Sequence, residues 1–345
     1  MTGPPAATAA CRVAVRRSLA GHDGPVLAAV SGGADSLALA AALAFERPGS
    51  GALVVDHALQ PGSASVAETA AAQCRSLGLA AHVLSASPHA APSPAAHWGS
   101  PNASGAAETR VGDPQSSDRG ARKEGGGGPE GAARELRYAL LEEAASRFDT
   151  AELTGAAGTA SGRAVVLLGH TRDDQAESVL LGLVRGSGAR SLSGMAPVRD
   201  RYRRPFLDVP RATVRQACSE AGLAPHEDPH NDDPAFTRVG VRKLLADLDI
   251  TDGLARSAAM LREDADALDA LTTPTAEVAE LAAMLPALRA RALKRWAEEV
   301  SGRALTGVQV LALRGLVEDW HGQGPVALPG GGQVSRVGGR LAFSP

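Results

Sequence analysis

The sequence predicts an α/β protein: a doubly wound parallel sheet followed by a smaller, mostly helical C-terminal domain. Three observations carry this. Short apolar runs alternate with helical patterns through the first half of the chain. Glycine-, serine- or acid-rich segments follow directly on those runs. From about residue 201 the alternation stops and helical patterns take over. Strands that alternate with helices pair in parallel through right-handed crossovers. In such sheets ligands sit outside the carboxyl ends of the strands.

The elements follow in order. VLAAV (26–30) reads as a buried strand and Ser36 to Phe45 as the helix after it. ALVVDH (52–57) is the next strand, Ala64 to Leu77 the next helix, and AHVLSA (81–86) a third strand. Residues 87–129 are rich in Pro, Gly, Ser and Ala and nearly lack large apolar side chains. Such a segment buries too little surface to offset its ordering entropy, so the expectation is a disordered insertion. Ala132 to Arg147 reads as helix, AVVLLG (164–169) as strand, and Asp173 to Val184 as helix. Residues 209–223 look helical, and PHEDPHNDDPAF (225–236) is a polar linker. Further helices are expected over Gly253 to Leu271, Leu285 to Val300 and Thr306 to Trp320, with a small hairpin in the tail VALPGGGQVSRVGGRLAF. The expected organisation is an α/β domain over 1–245 and a mostly helical domain over 246–345.

Composition narrows the class. Hydrophobic residues make up 44% and charged residues 21%, as in soluble globular proteins. The net charge of −3 does not itself announce a nucleic-acid partner; its distribution is more telling. Between Arg185 and Arg215 stand eight arginines (185, 190, 199, 201, 203, 204, 211, 215) against the two aspartates Asp200 and Asp208. That segment reads either as a solvated loop or as a patch for phosphates. Cys11, Cys74 and Cys218 are widely spaced with no CxxC, which excludes a zinc ribbon and a local redox pair. A reducing compartment suits them. No apolar run approaches the ~18 residues of a membrane span, and the first residues lack a signal-peptide pattern. A cytoplasmic location is the expectation.

Two motifs carry the chemistry. In SGGADS (31–36), Gly32 and Gly33 let successive backbone N–H groups turn into one concavity. The helix that follows adds its positive end, and Ser31 and Ser36 add hydroxyls. The result is an anion cradle. No GxxxxGK[ST] occurs anywhere, so it is not a Walker A loop. The plain alternative is a strand-to-helix turn capped by Asp35. In GHTRDDQAE (169–177), Asp174 follows His170 by four and Glu177 follows Asp174 by three. That spacing places an imidazole and two carboxylates near one helix face. Acids in a first turn also favour the helix dipole without any further role, and that reading is strongest for Asp173.

SGGADS resembles the SGGxDS loop of the PP-loop ATP pyrophosphatases, which cleave ATP between its α and β phosphates and adenylate a carbonyl oxygen. The longer segment LGHTRDDQAESVLLGLVRGSGARSLSGMAP (168–197) resembles the tRNA(Ile)-lysidine synthetase family. So do VDHALQ (55–60), AARELRY (132–138), RRPFLDVPRATV (203–214) and EDPHNDDPAFTRVGVRKLL (227–245). The resemblance runs from about residue 26 to 245, interrupted by the insertion, and is only general beyond that.

It implies a PP-loop ATP-binding catalytic domain and a C-terminal tRNA-binding domain. ATP would adenylate the C2 oxygen of the wobble cytidine in a CAU-anticodon tRNA(Ile). The side-chain amine of L-lysine would then displace AMP. The implied catalytic set is Asp35, His170, Asp174 and Glu177, with the two downstream carboxylates holding the lysine ammonium and His170 moving a proton or orienting the base. The implied ATP contacts are Ser31, Gly32, Gly33, Ala34, Asp35, Ser36, Asp56, His57, Arg134 and Arg137. Mg²⁺ is expected with ATP, and Asp35 is its direct or water-mediated ligand. Arg185, Arg190, Arg201, Arg204, Arg238 and Arg242 are the implied tRNA contacts. The chain departs from the family pattern at Gly131, where a glutamate is usual, and at Gly240, where an arginine is usual. The two alternative readings are a tRNA thiolase of the same superfamily, which would need cysteines to carry sulfur, and a non-catalytic RNA-binding protein.

Overall fold

The computed structural model describes residues 3–56, 62–85, 129–149, 162–227 and 237–345, the side chains of 129–133 and 237–238 excepted. The expected insertion therefore lies outside the described residues, apart from Pro129. One compact unit is built mostly on residues up to Arg262, and a second runs from Glu263 to Pro345.

The first unit centres on a six-stranded sheet. Its strands are β1 (Val26–Val30), β2 (Gly51–Asp56), β3 (Ala80–Ser85), β4 (Val165–Leu167), β5 (Val198–Arg199) and β6 (Tyr202–Arg203), in the order β3-β2-β1-β4-β6-β5. Every pairing is parallel except that of β5 with β6. The order reverses beside β1: β2 and β3 lie on one side, β4 on the other. That makes the end of β1 the switch point where such sheets bind ligands, and SGGADS begins there.

Burial on both faces explains the apolar runs. Val26, Ala28, Val30, Ala52, Val54, Val165 and Leu167 share one core cluster with α1 (Ala6–Ser18), α2 (Ala34–Glu46), α3 (Ser63–Ser76) and α7 (Arg211–Glu220). The residues between them point to the other face, since strand side chains alternate. There α4 (Pro129–Phe148) provides the cover. His82, opposite Leu53, stacks edge-on against Phe148, and Tyr202, opposite Val166, stacks edge-on against Tyr138.

Four elements of this unit were not foreseen from sequence. Helix α1 has no side-chain cap, so no start signal marks it. β5 and β6 are two residues each, joined by a turn in which Asp200 has φ of 55°. The helix α6 (Ala189–Leu192) is a single turn in the arginine-rich loop. α5 (Arg172–Val184) begins at a capping box: Thr171 accepts from the Asp174 N–H, and the Asp174 carboxylate accepts from the Thr171 N–H. α8 (Thr237–Leu248) packs Val241 and Leu245 on Ala176 of α5, and α9 (Thr251–Ala270) follows it.

The second unit comprises the end of α9, α10 (Val278–Ala283), α11 (Pro286–Ser301), α12 (Gly307–Glu318) and a small antiparallel sheet. Leu281, Leu293, Leu313 and Leu316 form its core with Val334 and Leu341 of the sheet. The expected tail hairpin is present as β8 (Gln333–Val337) and β9 (Arg340–Ser344). A third strand, β7 (Val326–Ala327), joins it in the order β7-β8-β9, so the hairpin reading was one strand short.

Candidate active site

The site is assembled at the carboxyl ends of β1 and β4. Ser31 to Gly33 leave β1, and Gly33 is the N-cap of α2. Gly32 has φ of 86°, a conformation that costs any L side chain strain. Gly33 is different. Its backbone is extended, and an added Cβ would meet only Ser31 Oγ at 3.8 Å. No packing demands glycine there, so its small size leaves the concavity open. Ser36 holds the loop in shape: its hydroxyl donates to Gly33 O at 2.9 Å and accepts from the Ser31 N–H at 3.2 Å.

Asp35 stands in the first turn of α2, where α2 meets β4. Gly169, just after β4, has room for no side chain, since a Cβ there would lie 3.0 Å from Asp35 O. One Asp35 oxygen, Oδ1, is buried with no hydrogen-bond partner. Burial and the charge of Asp174 push the Asp35 carboxyl up to about 6, with Arg211 and Arg215 opposing.

The dominant feature is an arginine that the sequence reading did not assign to the site. Arg211, the first residue of α7, lies among three carboxylates. Its guanidinium donates to Asp174 Oδ1 at 2.5 Å and to Glu177 Oε1 at 3.0 Å, and its Nε is 3.8 Å from Asp35 Oδ2. Its backbone N–H donates to Asp173 Oδ2 at 2.7 Å, so Asp173 anchors the start of α7 rather than only favouring its own helix. Burial works against the charged guanidinium, but the three carboxylates prevail and hold it above its ordinary range.

The remaining expected residues divide into those the site gathers and those it does not. Asp174 is gathered. Burial alone would raise its carboxyl, but Arg211, His170 and two bonds from Thr171 keep it below the usual carboxylate range. His170 is gathered too. Burial is the main cause holding its imidazole neutral, and Arg204, Arg134 and Arg137 add to this against Asp174. Its Nδ1 is buried without a partner. Arg134 and Arg137 are both on α4, and Arg134 lies over the Tyr138 ring at 5.4 Å. Asp56 is buried at the end of β2. His57 and the Arg238 side chain lie outside the described residues.

Four expectations need correction. Glu177 does not present an open carboxylate to an incoming ammonium: it is buried and accepts from Arg211 and, at 2.8 Å, from Arg242 Nε. Arg242 is thereby engaged inside the site rather than left as a surface contact for phosphate. Arg201 is 3% exposed and ion-paired with Glu142 at 2.9 Å and Asp149 at 3.0 Å. It stands beside the amino end of β4, at the opposite pole of the sheet. Arg204 is also buried, donating to Ala196 O at 2.8 Å. A buried cation committed to protein partners offers little to a phosphate backbone. Arg185 and Arg190 are exposed, on the loop that follows α5.

Among the described residues no group of three or more His, Cys, Asp or Glu side chains forms a metal cage. The orphaned Asp35 oxygen nevertheless fits Mg²⁺, which takes one or two carboxylates and completes its shell with water and substrate phosphates.

A PP-loop domain family matches residues 113–248, and a TilS substrate binding domain matches residues 277–342. A tRNA(Ile)-lysidine synthase from Leifsonia xyli subsp. xyli is 44% identical, over 93% of this chain and 90% of its own length. Another from Thermobifida fusca is 44% identical over 100% of this chain and 99% of its own. Among solved structures, the U34-tRNA thiolase NcsA from Methanococcus maripaludis superposes with a TM-score of 0.51 at 16% identity, over 75% of this chain and 79% of that one. This last likeness establishes a shared fold.

Proposed function

The chain belongs to the tRNA(Ile)-lysidine synthase family, and from that membership we propose how its residues divide the work of an ATP-dependent C–N ligase. The substrates of this reading are ATP, L-lysine and a tRNA(Ile) with a CAU anticodon. The observation that carries it is the convergence of Asp35, Asp174, His170 and Arg211 at the end of an open backbone cradle.

The N–H groups of residues 32–36 hold the β and γ phosphates of ATP, and the end of α2 adds its dipole. Asp56 lies where the ribose or adenine would rest. Asp35 would hold Mg²⁺, which would draw charge from the phosphates when bound. The C2 oxygen of the wobble cytidine attacks the α phosphorus. One P–O bond forms, the bond to pyrophosphate breaks, and Arg134 and Arg137 meet the charge that develops. An anticodon base is already unpaired, so it enters the pocket without melting a duplex.

The lysine amine then attacks C2. A C–N bond forms, the C2–O bond breaks, AMP leaves, and the amine gives up a proton to solvent. Asp174, more exposed than Glu177, is the carboxylate the incoming ammonium reaches, and the ammonium shares it with Arg211. Arg211 holds Asp174 and Glu177 in place. His170, kept neutral by burial, donates or accepts a hydrogen bond at the activated base. The exposed Arg185 and Arg190 meet tRNA phosphates.

The test is stoichiometric. Protein supplied with ATP, Mg²⁺, labelled lysine and CAU-anticodon tRNA(Ile) should release AMP and pyrophosphate in equal amounts, each matching the lysine incorporated. Pyrophosphate release without lysine incorporation, on tRNA shown to be competent, would contradict the second step.

A further inference from the structure

The glutamine of HTRDDQAE has no part in the chemistry above, yet it is 6% exposed and its whole amide is engaged. Gln175 Oε1 accepts from the Met195 N–H at 2.7 Å, and Gln175 Nε2 donates to Met195 O at 3.2 Å. One side chain thus takes both polar groups of a single residue twenty positions downstream. Among side chains of this length only a carboxamide can donate and accept at once.

Other contacts act on the same few residues. Arg204 donates to Ala196 O, and Arg262 donates to Ser193 O. The Ser193 hydroxyl donates to Arg190 O at 2.7 Å, turning the hold on Ser193 toward the arginine itself. Gly194 has φ of 62°, and a Cβ there would come within 2.6 Å of Gln175 Oε1. The backbone of the loop is therefore fitted against this one amide. The residues it fixes close the segment that carries Arg185 and Arg190, while the residue before it in sequence is Asp174.

We infer that Gln175 is a positioning residue: it locks the arginine-bearing loop to the helix that carries Asp174, so that a tRNA held by the loop presents its base at the carboxylate. The proposal rests on the reading of Arg185 and Arg190 as tRNA contacts. Two buried hydrogen bonds are at stake, and a buried peptide left unpaired is costly.

The test uses the full-length protein and equilibrium binding, which does not depend on turnover. Gln175→Met keeps length and removes both bonds. It should weaken tRNA(Ile) binding about tenfold and flatten its salt dependence, while ATP binding stays within about twofold. Hydrogen exchange at the Met195 amide should quicken. Should that variant fold poorly, Gly194→Ala disturbs the same contact with Gln175 in place and should show the same split between tRNA and ATP. Because both changes break one contact, a Gln175→Ala, Gly194→Ala double variant should bind tRNA no more weakly than the weaker of the Gln175→Ala and Gly194→Ala single variants. Unchanged tRNA affinity, a parallel loss for tRNA and ATP, or singles whose effects multiply would each overturn the proposal. A wild-type protein that binds tRNA but incorporates no lysine would count against the proposed activity alone.

Discussion

Asp35 combines features that stability and function pull in opposite directions. Its carboxyl is raised from 3.8 to about 6, chiefly by burial. An acid whose folded pKa is raised binds its proton more tightly in the folded state. Stability therefore falls as pH rises through this window and is lowest once the group is ionised. The shift corresponds to at most about 3 kcal/mol. With the side chain 30% exposed, about 1 to 2 kcal/mol is the reasonable expectation. Asp35→Asn should then melt higher than wild type at about pH 7.5 in ATP- and metal-free buffer, the gap should close toward about pH 4, and turnover should be absent. Melting curves that coincide at both pH values would contradict the burial argument. Asp35, His170 and Asp174 were legible in the sequence because two short motifs hold them. Arg211 was not. It lies 37 residues from Asp174, and neither the basic segment nor RRPFLDVPRATV (203–214) gave it a role. Nothing local distinguishes an arginine that caps three carboxylates from one that faces solvent. The same blindness made buried Arg201 and Arg204 look like phosphate contacts.

At the level of elements, the alternating pattern placed β1 to β4 and the helices between them to within a few residues, since apolar runs and helical periodicity are local signals. β5, β6 and α6 escaped because two-residue strands and a single helical turn have no periodicity to read. Their form is set by partners: β6 by β4, and the loop after α6 by Gln175. The cradle between β1 and α2 shows how an element keeps room for a ligand. Gly33→Ala is compatible with the backbone and should cost no more than about 1 kcal/mol of stability, while its Cβ enters the concavity and raises the KM for ATP about tenfold. Gly32→Ala instead meets a positive φ and should lose stability by about 1 to 2 kcal/mol. An unchanged KM in Gly33→Ala would remove the cradle from the phosphate site.

For the whole molecule, fold and function separate. The α/β unit is shared with a tRNA thiolase at 16% identity, so the fold alone does not choose between adding sulfur and adding an amine. The cysteines speak to that choice. Cys11, Cys74 and Cys218 are all buried, and burial pushes the thiols of Cys11 up to about 12 and Cys74 up to about 11. Thiols so far from ionising are poor sulfur carriers. Relatives matched over nearly the full chain place this protein with the lysidine synthases instead. The most direct measurement is the mass of the wobble nucleoside, released from CAU-anticodon tRNA(Ile) after incubation with the protein, ATP, Mg²⁺ and lysine. The account predicts a cytidine heavier by one lysine less one water, formed only when both ATP and lysine are present. A cytidine of unaltered mass, or one that has gained sulfur, would contradict it.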